Sequence, residues 1–193
     1  MLFTNQSLVI NGKDEIQDPF KANLILAFGS KRLVADDQLY KLLTDRYPSA
    51  DIVLCSTAGE IAYNTVYDDS AVITVISFEK TTLRTASLNL NEFNDSFELG
   101  KSLVQQLEID GLTSILILSD GLLVNGSQLV AGMEVGNLGK VLITGGLAGD
   151  GIQFDNTLVG LNGQPKMGTV AAIGFYGEQI DVRSSSVSGW DVF

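Results

Sequence analysis

The sequence predicts an α/β fold of internally duplicated β-α-β-β-β units, with mixed sheets covered by helices. Three observations carry this. First, an unbroken apolar run occurs twice, at 24–28 and 115–118, and an amphipathic stretch follows each. Second, a further apolar run then ends in a loop of small residues: Cys55-Ser56-Thr57-Ala58-Gly59-Glu60 in one half, Gly145-Gly146-Leu147-Ala148-Gly149-Asp150 in the other. Both loops close on Ala-Gly-acid. Third, two β-rich runs follow each loop, 71–78 with 82–90 and 169–175 with 179–187. A repeat this long, present twice, predicts a duplicated module with its copies at about 23–90 and 114–187.

Residues 1–22 read as a leading strand at 7–10, a polar turn at Asn11-Gly12 and a break at Pro19. The run 24–28 fits a strand buried on both faces. Asp36 is a good N-cap for a helix whose Leu39, Leu42 and Leu43 form one stripe, and Pro48 stops it. The run 52–54 is the next strand, parallel to the first because a helix connects them. From 71 to 90 the period changes to two, and Glu79-Lys80 reads as the turn of an antiparallel hairpin. Asp95 and Glu98 flank a helix over 95–107, capped by Asp, with Leu99, Leu103 and Leu107 on one side. Gly100 inside that helix costs about 1 kcal/mol against Ala, which implies close packing by another element. In the second half the pattern predicts strands at 115–118, 141–144, 158–161, 167–176 and 179–187. The intervening helix spans 125–138, with Leu129, Val130 and Met133 inward.

Composition narrows the function classes. The 193 residues are 45% hydrophobic and carry a net charge of −11, and mean hydropathy is +0.22. That is enough apolar material for a sizeable core. The acidic balance argues against nucleic acid and against an anionic membrane surface. No apolar run approaches the roughly 20 residues that span a bilayer, and the N-terminus lacks a signal-peptide pattern, so a cytoplasmic location is expected. The sequence has no His and a single Cys. Ser-His and Cys-His dyads, His-ligated zinc and His-ligated haem are therefore absent, and no metal site or cofactor is expected. Cys55 reads as a small buried residue.

The candidate site is the pair of small-residue loops. In open α/β sheets ligands bind beyond the carboxyl ends of strands. Ser56, Thr57, Gly59 and Glu60 supply hydroxyls, a backbone approach and a carboxylate. Gly145, Gly146, Gly149 and Asp150 are the matching set, and Asp120 at a further strand end lies on the same edge. Four glycines in the seven positions 145–151 invite a phosphate-loop reading, but no Lys follows and neither nucleotide-binding spacing is met. The segment 150–155 likewise misses the calcium-loop pattern. The bland alternative for each acid is that it caps its own loop.

These residues resemble a known family. Phe28 after a buried strand, Cys55 to Glu60, Leu118-Ser119-Asp120-Gly121 and Gly145 to Asp150 are similar to the FIST N-terminal domain, and Gly189-Trp190 is similar to the start of its linker. The resemblance implies a domain over 23–189, with 190–193 opening a linker to a C-terminal domain. It also implies a bacterial sensory module of signal transduction that binds small ligands, with amino acids proposed. The partners implied are a small polar ligand, the FIST C-terminal domain and a signalling output protein or domain. Some members bind haem, a property at odds with a chain lacking His. The expected role is therefore ligand sensing, not catalysis. Two rivals are a hydrolase or lyase using Glu60 or Asp150, with Ser56 or Thr57, and a protein-interaction scaffold.

Overall fold

Alternation along each strand decides the layering. The structure is a computed structural model that describes residues 3–10, 21–137, 139 and 141–185. In β2 (Leu24–Gly29), Ile25 and Ala27 join one apolar cluster, whereas Leu24, Leu26 and Phe28 join another. In β3 (Asp51–Ser56), Ile52 and Leu54 go with the first and Val53 and Cys55 with the second. A strand apolar on both faces must be covered on both. Helices cover one face: α1 (Lys31–Val34) through Leu33 and Val34, and α2 (Asp37–Arg46) through Leu39 and Leu43. A second sheet covers the other.

That second sheet repeats the logic. In β8 (Leu112–Ser119), Ile115 and Ile117 pack with Leu99 and Leu103 of α3 (Ser96–Gln105) and with Leu129 and Met133 of α4 (Gly126–Asn137). Leu118 packs toward the first sheet, as do Ala171, Ile173 and Phe175 of β11 (Thr169–Tyr176). The result is four layers: helices, sheet, sheet, helices. Phe78 and Phe175 meet edge to face across the sheet interface, with ring centroids 5.8 Å apart.

The remaining strands are β1 (Phe3–Ile10), β4 (Glu60–Ala62), β5 (Thr65–Tyr67), β6 (Ala71–Phe78), β7 (Thr82–Asn89), β9 (Leu142–Leu147) and β10 (Val159–Leu161). The first sheet has the order β1-β6-β2-β3-β10 and the second β7-β11-β8-β9, while β4 and β5 form a small hairpin. In each large sheet one pair is parallel, β2 with β3 and β8 with β9. The predicted mixed α/β class with helix-covered sheets is observed.

Several predicted details are corrected. β6 and β7 are not a hairpin: β6 pairs with β1 and β2, whereas β7 pairs with β11 in the other sheet. Residues 79–81 carry the chain from one sheet to the other. Residues 179–185 form no strand, because β11 already has β7 and β8 on its two sides. Leu42 is 41% exposed and leaves the predicted helix stripe, and Val130 is similarly turned out. The predicted turn at Asn11-Gly12, the break at Pro19 and the linker at 190–193 lie outside the described residues.

The expected β-α-β-β-β copies are not observed in the form predicted, because the hairpin of 71–78 with 82–90 is divided between the two sheets. The strand sets β1-β6-β2-β3 and β7-β11-β8-β9 nevertheless share order and direction. Register also separates the two Ala-Gly-acid motifs. Thr57 N–H donates to Gly29 O at 3.0 Å and Ala148 N–H to Ser119 O at 2.8 Å. Gly29 pairs with Ser56, and Ser119 with Leu147. Thr57 therefore corresponds to Ala148, and Gly149 corresponds to Ala58, not to Gly59.

Helix ends follow the sequence. The Asp36 carboxylate accepts from Gln38 N–H at 2.9 Å, and the Asp95 carboxylate accepts from Glu98 N–H at 2.9 Å. Gly100 does mark close packing: a Cβ there would collide with the Leu129 carbonyl of α4 and lie 3.2 Å from Met133 N.

Candidate functional site

The carboxyl ends of β3 and β9 deliver their loops to one edge. Ser56 is fully buried; its N–H donates to Leu158 O and its Oγ accepts from Leu158 N–H, both at 2.9 Å. Its carbonyl accepts from Gly149 N–H at 2.9 Å, which stitches the two candidate loops together. Ser56 thus builds the site from behind and does not face it.

Glu60, at the start of β4, is 3% exposed. Its Oε1 accepts from Thr57 Oγ1 at 2.7 Å, and its Oε2 accepts from Ser70 Oγ at 2.7 Å and Ser70 N–H at 3.3 Å. Asp150 knits the loop after β9: its carboxylate accepts from the N–H groups of Phe154 at 3.0 Å, Asp155 at 2.8 Å and Asn156 at 3.0 Å. Burial pushes the Asp150 carboxyl upward. The Asp155, Asn156 and Phe154 N–H groups, with Lys31 Nζ at 3.6 Å, outweigh that and hold it below its ordinary value.

Thr57, Gly59, Glu60 and Asp150 line one cleft of about 260 Å³. Lys31 and Arg32, just after β2, also line it, together with Asp68, Asp69 and Gln153. Lys31 Nζ donates to Gln153 Oε1 at 2.9 Å and so spans from the first half of the chain to the second. Arg32 binds Asp69 through two N–H···O bonds of 3.1 and 2.9 Å, and this hydrogen bonding holds the Asp69 carboxyl below its ordinary value.

The other predicted residues go elsewhere. Asp120 is fully buried and accepts from the N–H groups of Leu122, Leu123 and Gly168, at 2.8, 2.6 and 2.9 Å. It is saturated by backbone and lines neither the cleft nor its neighbours. Gly145 and Gly146 lie within β9 and line a separate groove of about 730 Å³ against α4. Gly145 has φ 153°, and a Cβ there would collide with Ile117 O of the adjacent strand, so only glycine fits. Gly149 packs on Ala58, its ideal Cβ position 3.2 Å from Ala58 N. Cys55 is buried in the sheet interface, and burial pushes its thiol up to about 12.

Lys31, Arg32, Asp68 and Asp69 are absent from the sequence-based site. The available signal was position: Ser30-Lys31-Arg32 directly follows a buried strand, where open α/β sheets place ligands. Among the described residues, no group of three or more His, Cys, Asp or Glu side chains is arranged to hold a metal ion. No helix there is long and apolar enough to cross a membrane.

The model of one family, the FIST N domain, matches residues 23–193. The chain belongs to the FIST N family. FIST domains are sensory domains of signal transduction. A comparison with curated proteins finds no match.

Proposed function

We propose that this FIST domain senses a small polar molecule held between the Thr57–Glu60 loop and Asp150, and that it acts as a binding module in the cytoplasm. The observation that carries the reading is the shared cleft: two loops distant in sequence meet there with four acids and two cations. Both signs of charge on one small cleft suit a zwitterion, and free amino acids are the simplest of that class. The groove between α4 and β9 is larger but offers few convergent polar groups, which small-molecule sites use to fix orientation. The low pKa of Asp150 and the full burial of Ser56 run against acid–base or nucleophilic roles for those two residues.

Signal output would pass to a FIST C-terminal domain or a separate signalling partner. Ile61, Ile152 and Phe154 are 73%, 94% and 77% exposed beside cleft-lining residues, which supports a partner-facing surface close to the ligand. The test is a thermal-shift screen of amino acids on wild type, Glu60→Ala and Asp150→Ala. A ligand at about 100 times its dissociation constant adds roughly 2.7 kcal/mol of stability. That increment is expected to shrink in both variants relative to each variant's own ligand-free baseline. Equal increments in all three proteins would refute the site.

A further inference from the structure

We infer that the ligand carries a bulky apolar group beside its charged head, and that this group is read by a second cavity sharing a wall with the polar cleft. The inference rests on the binding site proposed above.

The second cavity has a volume of about 380 Å³. Thr57, Gly59 and Glu60 line both spaces, so the two adjoin along that loop. Away from the shared wall their chemistry differs. The polar cleft is walled by Lys31, Arg32 and acids. The second cavity is walled by Phe28, Val72 and Thr74 of the first sheet and by Ile61 and Tyr63 of the β4–β5 hairpin.

The fold explains this space. The inner face of the first sheet packs on the second sheet through Leu24, Val53 and Cys55. Val72 and Thr74 lie outside that apolar cluster, and β4 lies against β6 on their side. A two-stranded hairpin is too small to fill the area that a full sheet would cover, and a cavity remains. The polar cleft alone, at about 260 Å³, is smaller than the usual small-molecule site of about 300–1,000 Å³, and the adjoining 380 Å³ cavity brings the joint space within that range. Such sites are mostly apolar with a few orienting polar groups, which is the division seen here.

The hairpin turn supplies a means of testing this without disturbing the core. Tyr63 is 82% exposed and has φ 55°. Asn tolerates that left-handed backbone better than Tyr, so Tyr63→Asn removes the ring and keeps the turn. Phe28→Ala removes the half-buried ring on the sheet side.

The experiment is isothermal titration of the full chain with L-phenylalanine, L-glutamine and glycine. These share a head group, and the first two are of similar size but differ in polarity. Burying an aromatic side chain is worth at least about tenfold in affinity. L-Phenylalanine is therefore expected to bind at least about tenfold tighter than either comparator. Tyr63→Asn and Phe28→Ala are expected to cut that advantage by about threefold or more while glycine affinity stays unchanged. Similar affinities for all three compounds would overturn the apolar pocket but leave the polar cleft standing. An advantage for L-phenylalanine that survives in Tyr63→Asn and in folded Phe28→Ala would overturn it too. Absence of binding by every compound would overturn both this inference and the cleft reading beneath it.

Discussion

Replacing Glu60 by Ala tests whether the cleft is preformed by its own hydrogen bonds. The side chain is 3% exposed and is the acceptor for Thr57 Oγ1, Ser70 Oγ and Ser70 N–H. Thr57 is half-buried and its hydroxyl can find water, so that loss costs about 0.5–1.5 kcal/mol. Ser70 is fully buried, and each donor left without an acceptor costs about 1–3 kcal/mol. The Ser70 N–H bond is long at 3.3 Å, so its share belongs at the low end. The total is about 3 kcal/mol, a large part of the roughly 5–15 kcal/mol that stabilises a typical protein. For a chain of this length that lowers Tm by about 6–12 °C. Glu60→Gln keeps one acceptor and is expected to cost less than half as much. Urea unfolding of Glu60→Ala, Ser70→Ala and the double variant supplies the cycle. Because Ser70 Oγ and Glu60 share a bond, the double variant should be more stable than the sum of the single losses predicts, by about 0.5 kcal/mol or more. Additive losses, or a Glu60→Ala protein within about 0.5 kcal/mol of wild type, would show that this network does not hold the loop.

Three further outcomes follow from other parts of the structure. The folded-state pKa of Asp150 is depressed, so its contribution is fully present above the unfolded value of about 3.9 and is lost as pH falls through the lower folded value. The Tm gap between wild type and Asp150→Asn should therefore be constant near neutrality and close below about pH 4 in an acid titration followed by circular dichroism. Cys55, buried with its thiol raised to about 12, should resist a thiol reagent at pH 8 and react stoichiometrically after unfolding in guanidinium. Gly132→Ala should destabilise by about 1–3 kcal/mol despite a better helix propensity, because a Cβ there meets the Phe97 carbonyl and the α3–α4 backbones must separate; chemical denaturation measures it.

What was legible in the sequence was mostly local. Continuous apolar runs gave β2, β3 and β8, since such strands need cover on both faces. Asp36 and Asp95 marked helix starts because their side chains cap the first turn. Long-range pairing was not legible. Glu79-Lys80 between alternating runs has the local chemistry of a hairpin turn, and the same chemistry serves a crossing between sheets. What separates the two outcomes is the partner of 82–89, which is β11, some 80 residues away (Asn89 pairs with Thr169). The small β4–β5 hairpin was not legible because its large apolar residues Ile61, Tyr63 and Val66 are mostly exposed while the charged Glu60 is buried, the reverse of the usual apolar-in pattern. At the site, Thr57, Gly59, Glu60 and Asp150 share a cleft, whereas a strand-end position does not distinguish a residue that faces ligand space from one, like Asp120, that is turned into the backbone, and Gly145 and Gly146 belong to β9 itself.

The one-residue shift between the two Ala-Gly-acid motifs changes how the cleft would work. In register, Asp150 corresponds to Gly59, so Glu60 and Asp150 are not symmetry mates. Their surroundings differ accordingly. Glu60 is held by hydroxyls and an N–H from its own half, on both oxygens. Asp150 is held by three backbone N–H groups of its own loop and meets Lys31 at a distance beyond a hydrogen bond. The acids are thus fixed, and Lys31 is the group with interchangeable partners: Gln153 at 2.9 Å, Asp150 at 3.6 Å and Asp155 at 3.8 Å. A ligand carboxylate entering the cleft would compete with those three for one ammonium group. Since Lys31 belongs to the first half and its partners to the second, that competition would act on a direct tie between the halves, and a ligand that loosens the tie would favour one arrangement over the other, the differential affinity that sensing requires.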